Sequence, residues 1–157
     1  MKEPAVVDQT LGEYLIRQLI ALNLSDTQAA QLASGWTGDQ LLAYRDGDNL
    51  ITCWIVAWDK EMSAQNFARA FQLVLERRHH LRFTQNQSGS MKADLGAGRS
   101  AVIQFKGQVV VLLDGVSAAR ELQLRASIWE ELEISTEPPA MPFDSARLKV
   151  QLASRSR

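Results

Sequence analysis

The sequence predicts an α+β domain: an N-terminal αα-hairpin, then two ββα units forming a mainly antiparallel four-stranded sheet with helices packed on it. Three observations lead there. Apolar residues recur at helical spacing over 11–22 and again over 63–78. Between these segments the period drops to two on either side of Asp46-Gly47-Asp48, an Asp-Gly turn between apolar runs. The same order of strand, tight Gly turn, apolar strand, Asp and helix returns around Lys106-Gly107, as a degenerate internal repeat would.

The first helix places Leu11, Tyr14, Leu15, Leu19 and Leu22 on one stripe. Ser25-Asp26-Thr27-Gln28 then reads as a capping box that opens a short second helix through Ala33, with Gly35 placed for a left-handed C-terminal cap. With Gly47 and Asp48 as the loop of the first β-hairpin, Arg45 faces Leu50 and Leu42 faces Cys53. One face then carries Leu42, Tyr44, Ile51, Cys53, Ile55 and Ala57, the other Leu41, Ala43, Thr52, Trp54, Val56 and Trp58. Both faces are apolar, which suits a central strand covered on each side, or one face covered by another protein. A helix over 63–78 aligns Ala64, Phe67, Ala68, Phe71, Val74 and Leu75. Residues 79–100 read as a mobile polar loop. Beyond them come "SAVIQF" and "QVVVLLD", closed by Asp114-Gly115, and a helix capped by Ser117 that runs to about Leu132. The domain is expected to span 1–133. Residues 134–157, opened by Pro138, Pro139 and Pro142, form an extended or disordered tail.

Composition limits what the chain does. Its 157 residues, 46% hydrophobic, suffice for one domain with a real core and no need of disulfide or metal. With 17 basic and 18 acidic residues the net charge is −1, so no global field favours nucleic acid. No apolar run reaches the length of a membrane span. Cys53 is the single cysteine and leans toward a reducing compartment. A cytoplasmic location is expected, or an extracytoplasmic one if a leader has been removed.

Motif by motif, reactive chemistry fails to assemble. His79 and His80 are adjacent at a helix end and diverge, where a zinc peptidase needs two histidines one turn apart; no metal and no cofactor are expected. Asp46-Gly47-Asp48-Asn49 lacks the alternating acids and the terminal Glu of a calcium loop. Gly96-Ala97-Gly98 precedes a strand, whereas a dinucleotide-binding loop follows one. Cys53 sits in an apolar strand, where a thiol behaves as a small hydrophobe. No catalytic residue is expected, and the chain is read as a non-enzyme.

The motifs left are "GWTGD" and "WDKEMSAQNF". Trp36 is bracketed by Gly35 and Gly38, and Asp59 stands where a carboxylate accepts from free N–H groups of the following helix. Structural roles account for both. The rival reading has Trp36, Asp39, Trp54, Trp58 and Asp59 line a ligand pocket. Ala33, Gly35, Trp36, Gly38 and Asp39, followed by a hairpin, Trp58, Asp59, Ala64 and Phe67, resemble the C-terminal region of uncharacterised bacterial metallopeptidase-like proteins. The likeness spans about residues 11–75 and departs at Thr37, Gln40, Ser63 and Asn66. The part that would hold His-Glu-x-x-His is missing, so the resemblance implies a non-catalytic accessory domain.

The expected function is therefore a non-enzymatic interaction or scaffold domain, an accessory subunit of a larger bacterial assembly. Its partner is a protein or a second copy, docked through Phe143, Arg147, Leu148, Lys149 and Val150 of the tail. The alternative is a small-molecule-binding domain or hydrolase-like enzyme with a Trp-lined pocket.

Overall fold

The computed structural model describes residues 5–87 and 89–132. A short strand β1 (Val7–Gln9) leads into helices α1 (Gly12–Ala21) and α2 (Asp26–Ala33). The hairpin β2 (Trp36–Asp46) and β3 (Asn49–Trp58) follows, then the long helix α3 (Glu61–His79). A meander of β4 (Thr84–Gln85), β5 (Met91–Gly96), β6 (Arg99–Lys106) and β7 (Val109–Ser117) leads to α4 (Ala118–Glu131). The α+β class holds, and the sheet is antiparallel throughout, in the order β1-β2-β3-β7-β6-β5-β4.

The four expected strands are the contiguous centre of that sheet, but the sheet has seven strands rather than four. The additions carry little sequence signal: β1 and β4 are the two edges, and β5 lies between β6 and β4. β1 has three residues and β4 two. β5, inside the stretch read as a loop, turns only Met91 and Ala93 inward before it breaks at Gly96. Such short alternations are hard to tell from loop composition.

The first hairpin has the register read from Asp46-Gly47-Asp48-Asn49: Arg45 faces Leu50 and Leu42 faces Cys53. A two-residue turn fixes register, and period two then assigns every side chain to a face. Trp54, Val56 and Trp58 join Ala64, Phe67 and Ala68 of α3 and Ile16 and Ile20 of α1 in one core. Ile51, Cys53 and Ile55 join Val109, Val111 and Leu113 of β7 and Ile128 of α4 in the other. The doubly apolar strand β3 is thus central, lying between β2 and β7.

The ββα repeat is not a structural one. A two-fold axis normal to the sheet would exchange the hairpins β2–β3 and β6–β7, and would leave α3 and α4 on the same face. They pack on opposite faces, α3 in the first core and α4 in the second. Covering both sides of the central strands requires that break in symmetry.

The α1–α2 pair forms as expected, and Ser25 and Gln28 complete a reciprocal capping box: the Gln28 amide donates to Ser25 Oγ, and the Ser25 amide to Gln28 Oε1. Two expectations about this pair need correction. Gly35 is not left-handed; α2 ends on Ser34, whose N–H donates to the Ala30 carbonyl. The space at Gly35 is taken by the approach of Asp59, whose Oδ1 lies 2.6 Å from where a Cβ would stand. The buried side of α1 is also displaced from the expected stripe: Ile16 and Ile20 are fully buried, Leu11 and Leu19 of the stripe pack against the core, and Tyr14, Leu15 and Leu22 are exposed. The tail from 134 onward, with Phe143, Arg147, Leu148, Lys149 and Val150, lies outside the described residues.

Cys53 is buried against β7, and burial pushes its thiol up to about 12. A thiol that far from ionising is a poor nucleophile at neutral pH. A thiol reagent is therefore expected to modify Cys53 at a rate set by opening of the fold, and quickly in denaturant. Rapid labelling of the native chain would contradict that placement.

Candidate functional site

Of the residues singled out from sequence, Trp36, Asp39 and Trp54 come together where α1 begins. Asp39, on β2, is fully buried. Its Oδ1 accepts from the Gly12 amide at 2.9 Å and from Trp36 Nε1 at 3.1 Å. Its Oδ2 accepts from the Leu11 amide at 2.9 Å and from Trp54 Nε1 at 2.9 Å. Each oxygen thus holds one backbone and one indole N–H. The Thr10 hydroxyl adds a bond to the Asp39 carbonyl at 3.1 Å.

Local backbone chemistry explains this convergence. The first residue flanking α1, Leu11, offers no side-chain cap and has αR angles; Gly12 follows with φ +82°. That succession turns neighbouring N–H groups to one side, a concavity suited to an anion. The positive φ is why glycine stands at position 12. A carboxylate from β2 fills the concavity and meets the positive end of the α1 dipole. Asp39 therefore caps α1 from 27 and 28 residues away. Among the described residues no Lys, Arg or His forms an ion pair with it.

Of the two indoles that bond Asp39, Trp54 is fixed by aromatic packing. Trp54 meets Phe67 edge-on at 5.9 Å and Phe71 at 5.5 Å. Trp58 lies tilted over Phe67 at 4.7 Å. Trp58 does not reach Asp39, and its Nε1 is buried with no hydrogen-bond acceptor. Asp59 belongs to a separate group: it accepts from the Ser63 hydroxyl at 2.8 Å, while its own amide donates to the Gly35 carbonyl at 2.8 Å. The expected contact with free N–H groups of the following helix is absent, because the residue flanking α3 is Lys60 and its side chain makes no capping bond. Trp36, Asp39 and Trp54 thus form one node; Trp58 and Asp59 stand outside it.

A second polar cluster, on the α4 side, escaped the sequence. Glu121 is buried and accepts from Lys92 Nζ at 2.7 Å and from Arg125 at 3.3 Å. Gln104 Oε1 accepts from Arg125 Nε at 3.1 Å and from Trp129 Nε1 at 2.9 Å. The Glu121–Arg125 spacing of one helical turn was a visible signal. Lys92 was not, since it lies on a strand read as loop.

Among the described residues, no group of three or more His, Cys, Asp or Glu is placed to hold a metal ion, and no helix is long and apolar enough to cross a membrane. His79 ends α3 and His80 follows it in a left-handed conformation.

A family model described as "Domain of unknown function (DUF8575)" matches residues 3–125. The chain belongs to this family. No curated protein and no solved structure matches it. The DUF8575 match takes in the whole sheet, α1 to α3 and the first half of α4, so both the Asp39 node and the Lys92–Glu121–Arg125 cluster fall within it.

Proposed function

We propose that this DUF8575 domain is a non-enzymatic protein-interaction module that presents one rigidly held helix to a protein partner, as an accessory or scaffold part of a larger assembly. The observation that carries the reading is the outward side of α1. Tyr14 is 70% exposed, Leu22 58% and Leu15 44%, all on one side of a helix whose other side is locked into the core. Contiguous exposed apolar groups on a fixed helix suit a groove on a partner. The saturated Asp39 supports the same reading: with four N–H donors on its two oxygens it acts as a fastener for α1. The likeness of the Gly-Trp and Trp-Asp motifs to a non-catalytic region of metallopeptidase-like proteins points the same way.

A photo-crosslinking side chain placed at Leu22, with the chain expressed in its native source, tests this. The expected result is a discrete protein adduct that disappears with Tyr14→Glu, the melting temperature being unchanged. No adduct from position 22, or one indifferent to Tyr14→Glu, counts against it. One observation favours a second reading, a small-molecule-binding domain: the buried Trp58 Nε1 has no acceptor of its own. A ligand that accepts from this indole would raise the melting temperature of the wild-type chain and have no effect on Trp58→Phe.

A further inference from the structure

We propose that the acidic part of this chain's own tail, residues 133–144, docks in cis on the basic end of α3. Charge selects the pair. Residues 77–93 include Arg77, Arg78, His79, His80, Arg82 and Lys92 and no Asp or Glu. Residues 126–146 include Glu130, Glu131, Glu133, Glu137 and Asp144 and no base. Arg77, Arg78, His79, His80 and Arg82 are all exposed. Arg77 donates to the Asn23 carbonyl at 3.1 Å, which ties this end of α3 to the end of α1. Among the described residues none of these five forms an ion pair, whereas Arg99 and Arg120 share Asp46, and Lys92 and Arg125 share Glu121. Carboxylates meet those four cations and are missing at the end of α3.

Reach and shape complete the argument. Trp129, near the end of α4, bonds Gln104 of β6, and β6 lies two strands from the edge strand β4. α3 packs on the other face of the sheet, and the chain passes from its end into β4. The way round that edge crosses two strand spacings, about 10 Å. Residues 133–144, extended, span up to roughly 40 Å. Pro138, Pro139 and Pro142 favour an extended backbone, so docking removes less conformational entropy. Leu73 is 42% exposed one turn before Arg77, an apolar seat for Phe143 beside a cation for Asp144. The contact ends there, because Arg147 and Lys149 would face like charge. A tethered segment meets its site at an effective concentration on the order of millimolar, so a few weak, salt-screened pairs hold it.

The chain supplies its own reporters. His79 and His80 are its only two histidines, and its one cysteine, Cys53, is buried. A nitroxide attached to the full chain through Ala140→Cys is expected to broaden the imidazole proton resonances of both histidines at low salt, relative to the reduced label. A chain without that substitution, treated alike, controls for labelling of Cys53. The broadening should vanish at high salt and in Glu133→Lys/Glu137→Lys/Asp144→Lys. It should return when Arg78→Glu/Arg82→Glu is added to that triple variant. Arg78 and Arg82 are exposed and unpaired, so the fold should tolerate the exchange; if the combined variant melts early, salt and the triple variant decide. Absence of broadening in the labelled chain overturns the proposal. So does broadening that survives the triple variant, which would mark apolar docking. Broadening passed to an isotope-labelled chain that carries no nitroxide would place the contact between copies and equally overturn it. None of these results depends on what α1 binds, and the crosslinking test of that face stands apart.

Discussion

Asp39→Ala is expected to lower the stability of the chain by about 3–5 kcal/mol, since it leaves four N–H donors without their acceptor at a buried site where each loss costs about 1–3 kcal/mol and the losses are not additive. The donors are the Leu11 and Gly12 amides and the Trp36 and Trp54 indoles. Asp39→Asn is the sharper variant. It is nearly isosteric, keeps one accepting oxygen, and turns an NH₂ group against two donors. A residue that only filled space would tolerate asparagine; an acceptor of four bonds would not. Denaturant titrations at constant slope measure both changes. A loss under about 1 kcal/mol for both variants would mean that Asp39 does not fasten α1.

The second large effect is expected at Gly115. Its φ is +76°, and a Cβ there would stand 2.6 Å from the Leu50 carbonyl oxygen, a backbone atom of the neighbouring strand. Left-handed strain alone costs roughly 1–2 kcal/mol, and the strand must also move, so Gly115→Ala should cost about 2–4 kcal/mol. Gly35 supplies the contrast. There too a Cβ would meet an atom at 2.6 Å, but that atom is the carboxylate of the exposed Asp59, followed by Ser63 Oγ at 2.9 Å and Ser63 Cβ at 3.1 Å, and the backbone at Gly35 is not left-handed. Gly35→Ala should therefore cost less than Gly115→Ala, about 1–2 kcal/mol. Thermal melts of the two variants, side by side, decide the order. The reverse order would mean that β3 and β7 are loosely held at this end of the sheet.

What could be read from the sequence was governed by local chemistry. The β2–β3 register followed from an Asp-Gly turn and two apolar runs, and α3 from an uninterrupted stripe that begins at Ala64. The burial of α1 could not be read this way. "LGEYLIRQLIAL" is apolar around more than half its circumference, so either side could have faced inward. The choice rests on Asp39, which anchors the helix start from β2, far along the chain. The same distance hid the node itself. Trp36 and Asp39 are three residues apart and were visible as one motif, whereas Trp54 is 15 residues from Asp39 and the two amides are farther. Asp59 was placed by a rule about helix starts, but one intervening residue, Lys60, took the flanking position. The edge strands β1 and β4 are too short to read, β5 is hidden by its polar, glycine-flanked composition, and Lys92 of the α4 cluster is hidden with it.

Trp36, Asp39 and Trp54 spend their hydrogen bonds on holding α1, and the proposed function rests on the surface of that helix. Hydrogen exchange of the Trp54 indole and the Gly12 amide, followed by NMR on the wild-type chain, tests it most directly. Both protons are expected to exchange only when the fold opens, and Asp39→Asn to speed both together. Rapid exchange of the Trp54 indole in the native wild type would contradict it, since that proton would then be free to meet a ligand.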